Sequence, residues 1–205
     1  MIYAHEQREK KAVYVGPRPG FPELDASLSE RMDSYLHQRN LTSSLARING
    51  WYPARYQDAP RIVIPCSNSA GVPYFQARDM SGKARLRYAS PPASRDDSIV
   101  ILWPQEKAKG TVVVEGPMCA LAAADLGFLG IALMGCQPSS LVLDRVVNFA
   151  KTFQPVILIP DADHPEMGAQ WMSWLAQHGV RAGIRVPIKK DLADMERMWR
   201  KRFLN

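Results

Sequence analysis

Two aspartates, Asp161 and Asp163, stand two positions apart just after the branched apolar run Val156 to Ile159, in the stretch VILIPDADHPEMG. Alternate residues of an extended chain point to the same side, so this spacing would aim two carboxylates at one point beyond a strand. Convergent carboxylates repel, and a divalent cation that prefers carboxylate oxygens and water relieves the repulsion. Other acids follow apolar runs in the same way. Glu115 closes TVVVE before Gly116 and Pro117, where a glutamate suits a metal ligand or a general base. Lys190, Asp191 and Asp194 follow IRVPI within KKDLAD. Open α/β sheets bind ligands beyond the carboxyl ends of their strands, which is where all three signals would fall. Each also suits a polar loop, and aspartate is a favoured helix N-cap.

The elements that must hold these acids are strand-like runs with helices between them. SIVILW, TVVVE, GIALM, VILIP and VRAGIRV have the composition of strands. PMCALAAADLG places Pro117 in a first turn and stops at Gly127, SSLVLDRVVNFAK is amphipathic, and EMGAQWMSWLAQHG ends at Gly179. Trp171, Trp174 and Leu175 would pack that last helix on the sheet. This alternation predicts an α/β domain with a parallel sheet flanked by helices over residues 99–190.

Residues 25–98 read differently. Leu28, Met32, Tyr35 and Leu36 fall at helical spacing behind the capping candidates Asp25 and Ser27, LTSSLARI makes a second short helix, and NGWYP closes the pair as a turn. RIVIP, GVPYFQARDM and KARLRYAS then read as short antiparallel strands. Within residues 61–88, Arg61, Arg78, Lys83, Arg85 and Arg87 stand against one acid, Asp79, interleaved with Tyr74, Phe75 and Tyr88. A basic surface carrying aromatic rings can line a phosphate backbone and stack bases, although a solvated face with aromatic undersides has the same pattern. PPASRDDS, residues 91–98, reads as the linker, and residues 1–24, which include GPRPGFP, as an irregular arm. Residues 191–205 form a C-terminal basic helix in which Arg197, Arg200, Lys201 and Arg202 alternate with Met195, Met198, Trp199 and Phe203. It suits either a docking helix or a cover for the sheet.

The chain of 205 residues is 46% hydrophobic and 22% charged, ordinary for a folded protein, and its formal charge of +6 is compatible with a polyanionic partner. No apolar run approaches the roughly 20 residues of a membrane span. Cys66, Cys119 and Cys136 form no CxxC pair and hence no zinc ribbon. Their odd number, without a signal peptide, leads to the expectation of a soluble, cytoplasmic protein with no membrane association. The absence of GxxxxGK[ST] excludes the common phosphate-binding loop of nucleotide-driven motors.

TVVVEG, VILIPDAD and KKDLAD, in this order across roughly residues 108–195, resemble the Toprim domain shared by DnaG-type primases, phage primase-helicases, topoisomerases and some nucleases. Gly135 in ALMG is similar to the glycine that ends the second strand of primase Toprim domains. RIVIP, FQARDM and RYASP are similar to the RIxFP, FxxR and KYxNSP elements of the basic subdomain that precedes Toprim in primases, and YLHQRNL resembles the helix before it. Topoisomerases and overcoming-lysogenization-type nucleases lack that preamble. The resemblance implies a Rossmann-like Toprim domain preceded by a small α+β basic subdomain. Its implied activity is that of a primase-like, DNA-directed RNA polymerase, which makes short RNA primers on a single-stranded DNA template from ribonucleoside triphosphates.

The resemblance further implies that Glu115, Asp161, Asp163 and Asp191 hold magnesium or manganese, with Glu115 as ligand or proton acceptor and Lys190 meeting a phosphate. Arg61, Arg78, Lys83, Arg85, Arg87 and Tyr88 would track template, primer or triphosphate. A phage or mobile-element origin is implied, with action in a bacterial host cytoplasm beside a separate replicative helicase or zinc-binding protein. Two departures stand out. Primases carry an aspartate three residues after the glycine of EG, where this chain has Cys119, which by itself reads as a small buried helix residue. The family's DxDxAG is stretched by HPEMG, which brings His164 and Glu166 near as further candidate ligands. A Toprim nuclease that uses the same acids, and a nucleic-acid-binding module with a decayed site, are the alternatives.

Overall fold

The computed structural model describes residues 20–71, 73–92 and 97–204. The arm expected over residues 1–24 lies almost wholly outside them, as do residues 93–96 of the expected linker. The described chain opens with a helical hairpin. The Asp25 carboxylate caps a short 3-10 turn, Ala26–Leu28, by accepting from the Ser27 amide at 3.1 Å. Helices α1 (Ser29–Gln38) and α2 (Ser43–Ile48) follow, turning at Asn40, whose φ of 54° is one that a short polar side chain tolerates.

An antiparallel sheet comes next, with strands in the order β1 (Tyr52–Tyr56), β2 (Ala59–Cys66), β3 (Tyr74–Asp79) and β4 (Tyr88–Ala89). The pattern NGWYP predicts a turn, yet Tyr52 and Pro53 open β1. Proline is tolerated there because β1 is an edge, where one side of the strand needs no donor. KARLRYAS, predicted as a full strand, supplies only the two residues of β4. Gly82, at φ 69°, turns the chain, and the Asp79 carboxylate gathers the bend by accepting from the amides of Ser81 at 2.9 Å and Ala84 at 3.3 Å.

The second sheet carries the α/β part. Its elements run β5 (Val100–Leu102), β6 (Thr111–Val114), α3 (Pro117–Ala124), β7 (Leu129–Ala132), α4 (Ser140–Thr152), β8 (Val156–Ile159), α5 (Glu166–Gln177) and β9 (Ala182–Ile184). A 3-10 turn, Leu192–Asp194, and helix α6 (Arg197–Leu204) complete the described chain. The strand order is β5-β7-β6-β8-β9, parallel except for β5, which pairs antiparallel with β7. Each helix starts where its sequence allows: Pro117 takes the first position of α3, and the Ser139 hydroxyl accepts from Val142 N at the start of α4.

Strand residues divide by period two. Val112, Val114, Ile157 and Ile159 join the core around α3, while Val113, Leu129, Ile131 and Leu158 join the core under α4 and α5. The first core extends without a break through Met32 and Leu36 of α1, Leu45 of α2, Ile62 and Ile64 of β2, and Leu204 of α6, so the two parts of the chain share it. An antiparallel bridge between Ser67 and Ile99 also ties sheet to sheet, and Arg145 of α4 braces it by donating to the carbonyls of Ser67 and Asp97. Among the described residues, no helix is long and apolar enough to cross a membrane.

Every residue of α3 is buried, and its alanines let the helix lie against β7 almost backbone to backbone. A Cβ built on Gly130 would sit 2.2 Å from the Ala120 carbonyl oxygen. Gly130→Ala is therefore expected to destabilise the protein by about 1–3 kcal/mol. Gly183→Ala on β9, where a Cβ meets nothing within 4 Å, should be near neutral. Thermal unfolding of both variants measures the difference, and equal melting temperatures would remove the close approach as the cause.

Candidate active site

The acids meet because neighbouring strands end together. Val114 of β6 and Ile159 of β8 are register partners, so Glu115 and Asp161 leave the sheet one and two residues beyond that pair. The Glu115 carboxylate accepts the Asp161 amide at 3.2 Å, which fixes the start of the loop after β8. Asp191 arrives from the other side. The Ala162 amide donates to the Lys190 carbonyl at 2.8 Å and so hooks KKD onto DAD, while the Asp191 carboxylate caps the following 3-10 turn through Asp194 N at 2.9 Å. One ligand atom each from Cys119, Asp161 and Asp191 lie within 4.8 Å of one another. Cys119 sits in the first turn of α3, where the resemblance leads one to expect an aspartate.

Asp163 departs from the expected convergence with Asp161. The strand ends at Ile159, and the next residues form a turn in which His164 N donates to the Asp161 carbonyl at 3.0 Å, so the alternation of an extended chain no longer applies. Asp163 instead pairs with Lys190 at 3.3 Å, with both side chains about half exposed. His164 and Glu166 pair with each other at 3.4 Å on the surface.

A cleft of about 220 Å³ lies at the acids, where Glu115, Cys119, Asp161 and Asp191 share the lining with Arg39, Gln76, Arg78, Arg87 and Tyr88. Gly135, beyond the end of β7, closes its edge. Arg78 Nε donates to the Tyr35 hydroxyl at 2.6 Å, and its guanidinium lies over the Tyr88 ring at 4.8 Å, so one face of that ring is already covered. Arg39 comes from the end of α1 and holds Asp194 at 2.9 Å, while its Nε is buried without a hydrogen-bond partner.

The remaining basic residues expected at a nucleic-acid surface go elsewhere. Arg61 is 2% exposed and donates to the carbonyls of Tyr56, Ala77 and Leu86, so it holds the antiparallel sheet together. A polar side chain that meets three carbonyls inside a sheet is a structural tie, which its position in a basic run cannot reveal. Lys83 and Arg85 line a separate groove with Gln57, Asp58 and Leu86. Arg200, in the C-terminal basic run, is fully buried and donates to the carbonyls of Met195, Arg39 and Asn40. Arg39 and Gln76 are the site residues that sequence reasoning missed. The only signal for Arg39 was its place in YLHQRNL.

Burial, reinforced by Glu115 and Asp191, pushes the Asp161 carboxyl up to about 7. Burial also raises Glu115. The Cys119 thiol is held well above its ordinary range by burial and by Asp191, so it stays neutral. Asp163 moves the other way because Lys190 bonds it. The cluster thus carries negative charge that no side chain within it compensates. That donor set fits a hard divalent cation on the Asp161 and Asp191 carboxylates, with Glu115 beside them, whereas a neutral thiol offers magnesium little.

The same charge has a stability consequence. Asp161 holds its proton in the folded chain up to about pH 7 but loses it near 3.8 when unfolded, so stability falls as pH rises through that window and stays reduced above it. Asp161→Asn should therefore raise the melting temperature of the metal-free protein at pH 8, with the gain vanishing toward pH 4. A variant no more stable than the parent at pH 8 would contradict the assignment.

Solved structures share this architecture. The primase fragment of the bacteriophage T7 primase-helicase protein superposes with a TM-score of 0.61 at 20% identity, covering 97% of this chain and 84% of that one. A chain of the assembly in which bacteriophage T7 lagging-strand DNA polymerase interacts with primase domains of two gp4 subunits, bound to an RNA/DNA hybrid and dTTP, gives 0.59 at 19%, covering 82% and 87%. The Aquifex aeolicus primase, in a fragment with zinc-binding and RNA polymerase domains, gives 0.63 at 16%, covering 88% of this chain and 54% of that one. No protein-family model and no curated protein sequence matches the chain. The fold of this chain is that of the phage and DnaG-type primase fragments, with a Toprim-type α/β layer joined to an α+β part that carries basic residues to its edge.

Proposed function

We propose that the chain is a primase-like RNA polymerase that makes short RNA primers on single-stranded DNA by metal-dependent nucleotidyl transfer. The observation that carries this reading is the meeting, in one cleft, of the acids Glu115, Asp161 and Asp191 with the cations Arg39, Arg78 and Arg87, within a primase fold. Acids alone would suit many metal sites. Acids facing arginines suit a ligand that brings both phosphates and a cation.

In this reading Asp161 and Asp191 hold magnesium or manganese, which when bound neutralises phosphate charge and lowers the pKa of a coordinated hydroxyl. Glu115 keeps the Asp161 loop in place through one carboxylate oxygen. Its other oxygen takes the proton from the primer 3′ hydroxyl as the hydroxyl's own oxygen bonds the α-phosphorus and pyrophosphate leaves. Arg39, with a buried donor still unsatisfied, and Arg78 meet the triphosphate, and exposed Arg87 follows the template or primer backbone. Lys190 exchanges its surface partner Asp163 for a departing phosphate. Template DNA and ribonucleoside triphosphates are the substrates, and a separate replicative helicase or zinc-binding protein is the partner that selects where synthesis begins. The T7 and Aquifex neighbours, named as a primase-helicase and as a zinc-binding primase fragment, support that choice.

The deciding assay supplies random single-stranded templates, four ribonucleotides and magnesium or manganese. Asp161→Asn and Glu115→Gln should each abolish primer synthesis while melting cooperatively, and full synthesis by the double variant would sink the reading. Shortening of a labelled strand without nucleotides would favour a nuclease instead. Arg87→Ala should weaken template binding and reduce the log–log salt slope by about one, as loss of a single phosphate contact does. An unchanged slope would remove Arg87 from the backbone path.

A further inference from the structure

We propose that Cys119 makes the acidic cluster a binding site for a thiophilic divalent cation such as zinc, held by Cys119 Sγ and one carboxylate oxygen each of Asp161 and Asp191. It would occupy the position that the polymerase reading above, on which this rests, gives to magnesium. Three separate segments deliver the ligand atoms: the first turn of α3, the loop after β8 and the cap of the Leu192–Asp194 turn. Those atoms already lie within 4.8 Å of one another. Around tetrahedral zinc, with Zn–S near 2.3 Å and Zn–O near 2.1 Å, ligand atoms stand roughly 3.5 Å apart, so small side-chain rotations close the site.

The surroundings decide which ion the cluster prefers. Asp163 pairs with Lys190 and Glu115 accepts the Asp161 amide, so the ligand atoms gathered within reach of one another are one sulfur and two carboxylate oxygens. Magnesium demands near-octahedral oxygen coordination and gains little from sulfur. Zinc takes thiolate, carboxylate and an open fourth position readily, and the cleft beside the cluster supplies that position. Cys119 is itself 4% exposed, and its sulfur lies within 4.8 Å of an Asp191 carboxylate oxygen, so it already stands beside the carboxylate with which it would share an ion. On capture of zinc the S–H proton passes to solvent and sulfur binds as thiolate, whereas magnesium leaves the thiol protonated. Zinc then occupies the two carboxylates that magnesium needs, and the two ions compete.

Cobalt(II) is the probe, because a thiolate ligand gives it a sulfur-to-metal charge-transfer absorption in the near ultraviolet that magnesium cannot produce. Titrating the full chain should develop this band, saturating at a single ion, and stoichiometric zinc should bleach it. Cys119→Ser should abolish the band and weaken zinc binding by more than the roughly 10–100-fold that loss of an outer-shell partner costs. A Cys66→Ser/Cys136→Ser double variant should retain the band, which assigns the sulfur without altering Cys119. No band in the parent chain, a band that survives Cys119→Ser, or a band lost in the double variant overturns the proposal. Primer synthesis with magnesium is measured on the same preparations. Synthesis without the band would sink the thiol site and leave the polymerase reading standing, and a band without synthesis would do the reverse.

Discussion

The contact between the backbone of α3 and that of β7 governs the arrangement of everything around it. Gly130 has no side chain to keep Ala120 away, and seven of the eight residues of α3 are Ala, Cys, Pro or Met with little bulk or no polar head, so the helix sinks onto the sheet until it is buried on all sides. From that depth its first turn lies level with the ends of β6 and β8, which puts Cys119 beside Asp161. Its outer face is then low enough for the helical hairpin, β2 and α6 to close over it. Interiors packed at this density transmit displacement, so the position of one helix sets the geometry of the cleft.

The acids are gathered against their own electrostatics. Nothing in the cluster attracts Glu115, Asp161 and Asp191 to one another. Backbone hydrogen bonds hold them together, from the Asp161 amide to Glu115 and from the Ala162 amide to the Lys190 carbonyl. A fold that spends its own hydrogen bonds in this way leaves a charge imbalance built in, and perturbed groups of that kind cluster where ligands bind. Arg39 and Arg78 line the same cleft but are already engaged, by Asp194 and by Tyr35 and Tyr88. They face the acids without pairing with them.

Much of this was legible in the chain. Apolar runs marked the parallel strands, two of which end in acids, and proline, serine and glycine marked where α3, α4 and α5 begin or stop. These signals are local and survive without tertiary context. What escaped depended on partners distant in sequence. Tyr52 and Pro53 form a strand only because β2 lies beside them on an edge. Arg61 and Arg200 look like surface cations in their runs, yet each meets carbonyls from other segments and is buried. Arg39 reaches the cleft because α1 and α3 belong to one packed core although more than seventy residues separate them in the chain, a distance that composition does not encode. An extended DAD would aim both carboxylates inward, and the split into an inward Asp161 and an outward Asp163 follows from a turn that the residues permit but do not announce.

The core shared by the two parts has a consequence for inheritance. Met32, Leu36, Ile62 and Leu204 belong to the same packed cluster as Val114 and Ile159, whose strands launch the acids. A mutation in the hairpin or the terminal helix, with no ligand of its own nearby, therefore falls under the same selective scrutiny as one beside the cleft. Removing either part would bare the other's share of this core to water, so in this chain the two segments are bound to fold as one unit.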